Sequence, residues 1–299
     1  MSRLLKAEIF KLFKNKTFIV LCIVAFALGI FNFGMTNIVS SEDFIRSSLT
    51  NMTEAEKDEA IEQIKLATEV KSSDEKVIVQ PGRIGSSSQF ENLFSPKGKE
   101  IFHSAFGQGL MEILLSILIA ALIAKEYSSG TIKNMIAYGK KREDYYIAKF
   151  LVASIGGMIL MGIIVIFTCL PSLLFFPWGK AFDINEVIYI ILIFAGASVS
   201  VMAMVSLLML LASILKSNGS TIGIGISIFV LLPTIVSFLY GKYTLFDKVY
   251  ESTVSYNYAL ATAIYASNND IIKAVTISIA TIIISLLIGI TLFKKQDIK

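Results

Sequence analysis

The sequence predicts an all-α integral membrane protein. It should have six transmembrane helices, an N-terminal amphipathic elbow helix, a helical cytoplasmic loop between helices 2 and 3, and an extracytoplasmic insertion between helices 1 and 2. Three observations carry this reading. Of 299 residues, 55% are apolar and only 17% are charged, where a soluble domain carries about a quarter charged residues. The deficit is concentrated in uncharged runs of about 20 residues, the length of helix that crosses a hydrocarbon core about 30 Å thick. Lysine and arginine alternate between connections, as they do when cytoplasmic loops retain positive charge. The net charge of +4 is too mild to point to nucleic acid. Cys22 and Cys169 both lie in apolar runs, with no disulfide framework or metal-ligand spacing.

Residues 1–16 open the chain. Leu5, Ile9, Leu12 and Phe13 fall on one helical face against Lys6, Lys11 and Lys14, the pattern of an interfacial amphipathic helix leading into the first span. That span, 17–39, is too long for the apolar core of a signal peptide and offers no small-residue cleavage site, so it is expected to persist in the mature protein. Residues 40–102 form the insertion, which is acidic and partly helical. Thr53 followed by Glu56 reads as a capping box opening a polar helix to about Val70, and Pro81-Gly82 marks a turn.

Span 2 covers 103–124. Ser104, Gln108, Glu112 and Ser116 recur every four residues along it, and lipid cannot be what that face sees, because a carboxylate in hydrocarbon costs several kcal/mol unless hydrated, paired or protonated. These residues are candidates for a substrate path or subunit interface. His103, the single histidine, has no cysteine or histidine companion and reads as packing rather than as a metal ligand.

The loop 125–147 is the most informative stretch. Ser128 to Thr131 supplies N-cap chemistry, Ile132, Met135 and Ile136 make a short apolar face, and Gly139 stands where a left-handed C-cap residue is wanted. A short capped helix with three exposed apolar side chains at the membrane surface implies a cytoplasmic partner.

The rest, 148–299, holds spans 3 to 6 at 148–170, 187–215, 220–240 and 271–293, joined by short loops. Small residues cluster at Gly156-Gly157 and Gly162, at 195–200, and at Gly219, Gly223 and Gly225, permitting close helix approach. Pro233 removes a backbone hydrogen bond and is expected to kink the fifth span. One side of the membrane then holds Lys11, Lys14, Lys16, Lys125, Arg142, Lys149, Lys216, Lys294 and Lys295 among others, and the short loops opposite hold Lys180, Lys242, Lys248 and Lys273. Both termini are therefore expected in the cytoplasm.

Glu126, Gly130-Thr131 and the run Gly139-Lys140-Lys141-Arg142 with Lys149 resemble the cytoplasmic loop of ABC-2 type permeases, the membrane subunits of ATP-binding cassette exporters. The amphipathic start, the six spans and the ending Leu292-Phe-Lys-Lys-Gln-Asp297 are similar to that family too, and the long insertion looks more like permeases of Gram-positive peptide-antibiotic exporters. The resemblance implies that the loop helix is a coupling helix seated in a groove of a separate ATPase subunit, through Glu126, Gly130, Thr131, Ile132, Met135, Ile136, Gly139 and Arg142. It implies a second permease subunit, identical or different. It also implies ATP and Mg on the partner ATPase, with no cofactor bound by this chain.

The sequence agrees in holding no Gly-x-x-x-x-Gly-Lys-Ser/Thr phosphate loop: the fragments Gly98-Lys99 and Gly139-Lys140 lack the preceding glycine and the following hydroxyl. An ion-coupled secondary transporter stays open as an alternative, with Glu112 the single mid-span ionisable group, as does an ATP-independent immunity or regulatory membrane protein. A membrane-embedded enzyme would need a paired His, Asp or Cys constellation that the sequence does not offer.

Overall fold

The computed structural model describes residues 2–71, 79, 90–107, 109–132 and 141–296. Among them the chain is helical with no strand. Helix α1 (Ser2–Lys14) turns at Asn15, whose side chain accepts from the Thr17 amide at 2.9 Å, into α2 (Lys16–Val39). The insertion contributes α3 (Glu42–Ser48) and α4 (Glu54–Lys71). The expected capping box is present: the Thr53 amide donates to Glu56 at 2.7 Å and the Glu56 amide returns to the Thr53 hydroxyl at 3.4 Å. Arg46 of α3 reaches Glu54 at 3.1 Å, and Lys65 of α4 reaches Glu42 at 3.0 Å, which fastens the two helices together. Pro81-Gly82 lies outside the described residues.

The second expected span is not one helix. A short α5 (Gly98–Ser104) begins inside the insertion, and the chain then breaks before α6 (Leu110–Ile119), which runs on through a π-turn (Ala120–Ala124) into α7 (Lys125–Ser128). The break has a local cause. Gly107 and Gly109 hold φ of 41° and 78°, in the left-handed region that side chains with a Cβ avoid and that no continuous right-handed helix passes through. Ser104 and Glu112 therefore do not stand on one continuous helical face, contrary to the four-residue recurrence.

Beyond the loop come α8 (Arg142–Phe175), α9 (Ile184–Leu215), α10 (Asn218–Ile226), a second π-turn (Ser227–Leu231), α11 (Leu232–Ser237), α12 (Thr244–Glu251), α13 (Val254–Ala261) and α14 (Asn268–Lys295). Among the described residues, five helical stretches are long and apolar enough to cross a membrane: α2, α8, α9, the continuous 218–237 and α14. Pro233 acts where expected. It has no amide to donate, the winding loosens into the π-turn just before it, and the Thr234 hydroxyl takes up the Val230 carbonyl at 2.9 Å.

Helix α2 lies along α8, α9 lies along α14, and α8 touches both α9 and α14. Hydrocarbon gives apolar side chains no reason to leave lipid for each other, so small residues and hydroxyls hold such helices together. Between α9 and α14, Ser200 meets Ser278 at 3.0 Å and Ser285 donates to Ser206 at 2.6 Å. Thr168 of α8 donates to the Gly29 carbonyl of α2 at 3.2 Å. Of the glycines expected at close approaches, Gly157 and Gly225 are tight: a Cβ on Gly157 would lie 2.9 Å from Val201, and one on Gly225 would lie 2.7 Å from the Ser116 hydroxyl. Gly219 and Gly223 face open space instead.

At one end of the bundle α5 is fastened to the α8–α9 connection and to the first turn of α9, with the Gly98 amide on the Pro177 carbonyl at 2.8 Å and Lys99 on Glu186 at 3.2 Å. His103 is buried there between two fixed partners. Its Nδ1 lies 2.8 Å from the Thr262 carbonyl and must carry the proton, which leaves Nε2 to accept from the Tyr189 hydroxyl at 2.9 Å. Both ring nitrogens are thus occupied, the packing role that the sequence suggested. The opposite end carries the basic residues and the site described next.

Candidate functional site

Helix α1 buries a different stripe from the one its pattern suggested. Leu4, Glu8 and Leu12 face inward, Leu5 and Ile9 are half-buried against the core, and Phe13 stays 53% exposed. The reason is Glu8, which is 1% exposed and aims at α8. Its carboxylate takes the Lys149 ammonium at 2.6 Å on one oxygen and that of Lys11 at 2.6 Å on the other. Lys149, 5% exposed, also reaches Glu126 of α7 at 2.7 Å and the Leu122 carbonyl in the π-turn at 3.3 Å. The Tyr145 hydroxyl donates to the second oxygen of Glu126, and Lys11 stands 3.7 Å from that carboxylate. One buried lysine thereby joins three segments: the amphipathic helix, the helical lead into the 125–147 loop, and the first turns of α8.

The electrostatics follow from this pairing. Burial works to raise the Glu8 pKa, but the Lys149 and Lys11 ammonium groups outweigh it and hold the carboxyl below its ordinary value. Burial works to lower the Lys11 pKa, and the Glu8 and Glu126 carboxylates raise it on balance. A buried ion pair is weak evidence of net stability, because desolvation offsets attraction, yet removing one partner strands the other and costs about 3–5 kcal/mol. The hub is a set of mutually compensated charges in which each carboxylate is already held by a lysine.

The structure treats the candidate loop residues unequally. Glu126 is in the hub. Gly130 adopts φ of 69°, closing a turn that the Thr131 hydroxyl trims by approaching Ser129 at 3.2 Å and the Glu126 carbonyl at 3.4 Å. Ile132 corrects the expectation of an exposed face. It is 2% exposed and packs into the main core, where an aliphatic side chain loses its contact with water. Met135, Ile136 and Gly139 lie outside the described residues. Arg142 turns inward too: its guanidinium donates to the carbonyls of Phe293, Lys294 and Gln296 at 3.1, 2.8 and 2.8 Å, capping the end of α14.

In the other candidate set, Ser104 and Ser116 spend their hydroxyls locally, on Ile101 and Glu112 carbonyls, each at 2.8 Å. Gln108 lies outside the described residues. Glu112 is 3% exposed, and one of its carboxyl oxygens has no hydrogen-bond partner. Sequence reasoning left Glu8 and Tyr145 out of the site, and used Lys149 for charge bias and for the loop resemblance without placing it among the site residues. The available signal was a lone carboxylate between Leu4 and Leu12 on the apolar side of an otherwise basic helix.

A helical membrane bundle with an amphipathic entry helix clamped to the loop before α8 narrows the identity, and comparison with known families decides it: residues 3–298 match the model described as ABC-2 family transporter protein. The chain belongs to the ABC-2 transporter family. It is a multi-pass membrane protein of that family. The chain is also similar to the uncharacterized protein YhcI of Bacillus subtilis (strain 168), at 22% identity over 206 residues, 62% of this chain and 64% of that protein. It thus spans a little under two thirds of this curated relative's length.

Proposed function

We propose that this chain is the permease subunit of an ATP-driven exporter, forming a translocation path with a second permease and coupled to separate ATPase subunits. The observation that carries the proposal is the Lys149 hub. A force applied to the 125–147 loop by a cytoplasmic partner reaches α8 through the Glu126–Lys149 pair and α1 through the Lys149–Glu8 pair, with Lys149 and Glu8 held by burial. Family membership supports the ATPase as that partner, with ATP and Mg bound on it. The basic residues Lys11, Lys125, Arg142 and Lys216 stand at the hub end of the bundle, which supports six spans with both termini in the cytoplasm. On this reading α6, its π-turn and α7 supply the second span, and α1 is the elbow.

Affinity purification of the tagged chain from its own host should bring down an ABC-type ATPase in stoichiometric amount, with no ATP hydrolysis by the chain alone. Robust hydrolysis by the isolated chain, or purification from active membranes without any such ATPase, overturns the reading.

The interior placement of Glu112, with Ser116 fully buried beside it, favours a path or subunit interface along this face that is closed in the present conformation. In a background with Cys22→Ser and Cys169→Ser that still transports, cysteines at 108, 112 and 116 should react with a polar thiol reagent at rates that change with ATP. Uniform silence at all three removes this face from the mechanism.

A further inference from the structure

Beside the hub, a cleft of about 500 Å³ opens between α1, the start of α2 and the segment from Ala121 to Thr131. Five lysines line it against the two carboxylates of Glu8 and Glu126. Both carboxylates are already taken by Lys149 and Lys11. The remaining three, Lys14, Lys16 and Lys125, are exposed and make no ion pair among the described residues. Three uncompensated ammonium groups around one hollow repel each other, and an oxyanion that accepts from several of them at once relieves that repulsion.

The rest of the wall is not polar. Leu122, Val152, Ala121 and the Phe10 ring contribute apolar surface to the same cleft. Phe10 and Phe13 are 64% and 53% exposed on the helix that borders it, and Lys16 is the first residue of an apolar membrane helix. The cleft therefore sits where a bilayer begins, with cations above an apolar floor. We propose that it binds the phosphate of an anionic phospholipid, held by Lys14, Lys16 and Lys125 with the glycerol backbone against Leu122 and Val152. A free phosphate shares the headgroup chemistry but has nothing to place on the apolar floor. The proposal holds whether or not the loop meets an ATPase.

The test uses the full chain in mild detergent, offered equimolar phosphatidylglycerol and phosphatidylcholine and read by native mass spectrometry. Wild type should retain phosphatidylglycerol about tenfold over phosphatidylcholine. Lys14→Gln/Lys16→Gln/Lys125→Gln should lose that preference, and the corresponding triple arginine variant should keep it. Lys125→Gln alone, at an exposed position that leaves the fold undisturbed, should lose part of it. A control that removes equal charge elsewhere, Lys242→Gln/Lys248→Gln/Lys273→Gln, should match wild type. Competition with millimolar glycerol phosphate separates the sources: displacement at comparable affinity assigns the site to a soluble phosphate, and failure to displace assigns it to lipid. Equal retention of the two lipids with no protection by glycerol phosphate, an unaffected glutamine triple, or an equal loss in the control overturns the proposal.

Discussion

Lys149→Met should destabilise the protein by up to about 3 kcal/mol, because it removes the buried one of the two cations, each at 2.6 Å, that compensate the Glu8 carboxylate, 1% exposed, and frees Glu126 from the α8 side. The melting midpoint in detergent should fall steeply. Glu8→Gln added to Lys149→Met should recover much of the loss, since no buried carboxylate then depends on the half-exposed Lys11 as its one cation. A double variant no more stable than the single one would show that the three segments are held together by something other than this pairing. The same joint is pH-dependent. Glu8 titrates below the ordinary 4.5, so its contribution is complete above that value and is lost as pH falls through the lower folded value.

Gly289→Leu is the second large effect. A Cβ at this position would lie 2.1 Å from the Tyr146 hydroxyl and 2.5 Å from the ring carbon that bears it. Tyr146 is itself 3% exposed, with its ring 6.0 Å from that of Phe293, so it has nowhere to retreat. Overpacking of this kind costs about 1–3 kcal/mol. It would separate the start of α8 from the end of α14, where Arg142 caps the final carbonyls. Shortening the neighbour as well, with Tyr146→Ala/Gly289→Leu, should return part of the melting temperature. A melting midpoint for Gly289→Leu equal to wild type would show that α8 and α14 are not in close contact there.

The apolar runs could be read from the sequence because a bilayer demands one property, length of uncharged helix, and α2, α8, α9 and α14 state it without interruption. The break at Gly107 and Gly109 was hidden, since two glycines in an apolar context signal close packing as readily as positive φ. The candidate site was half legible. Glu126 stood out in a loop of distinctive composition, but its partners Glu8 and Lys149 come from distant parts of the chain, and no spacing rule connects them. Ile132 misled for a related reason: periodicity shows that a helix has a face, while tertiary contacts decide whether it looks outward or into the protein.

The π-turn at Ala120–Ala124 has a geometric consequence for the two carboxylates on either side of it. Glu112 and Glu126 are fourteen positions apart, which on a regular helix, at about 100° per residue, leaves them about 40° from alignment on one stripe. A π-turn absorbs one extra residue and so rotates everything after it backward by about 100°. The two acidic groups then point about 140° apart, one into the bundle and the other toward α1 and α8. The winding at these five residues thus sets the azimuth of the loop end relative to the Glu112 carboxylate while the rod between them stays helical.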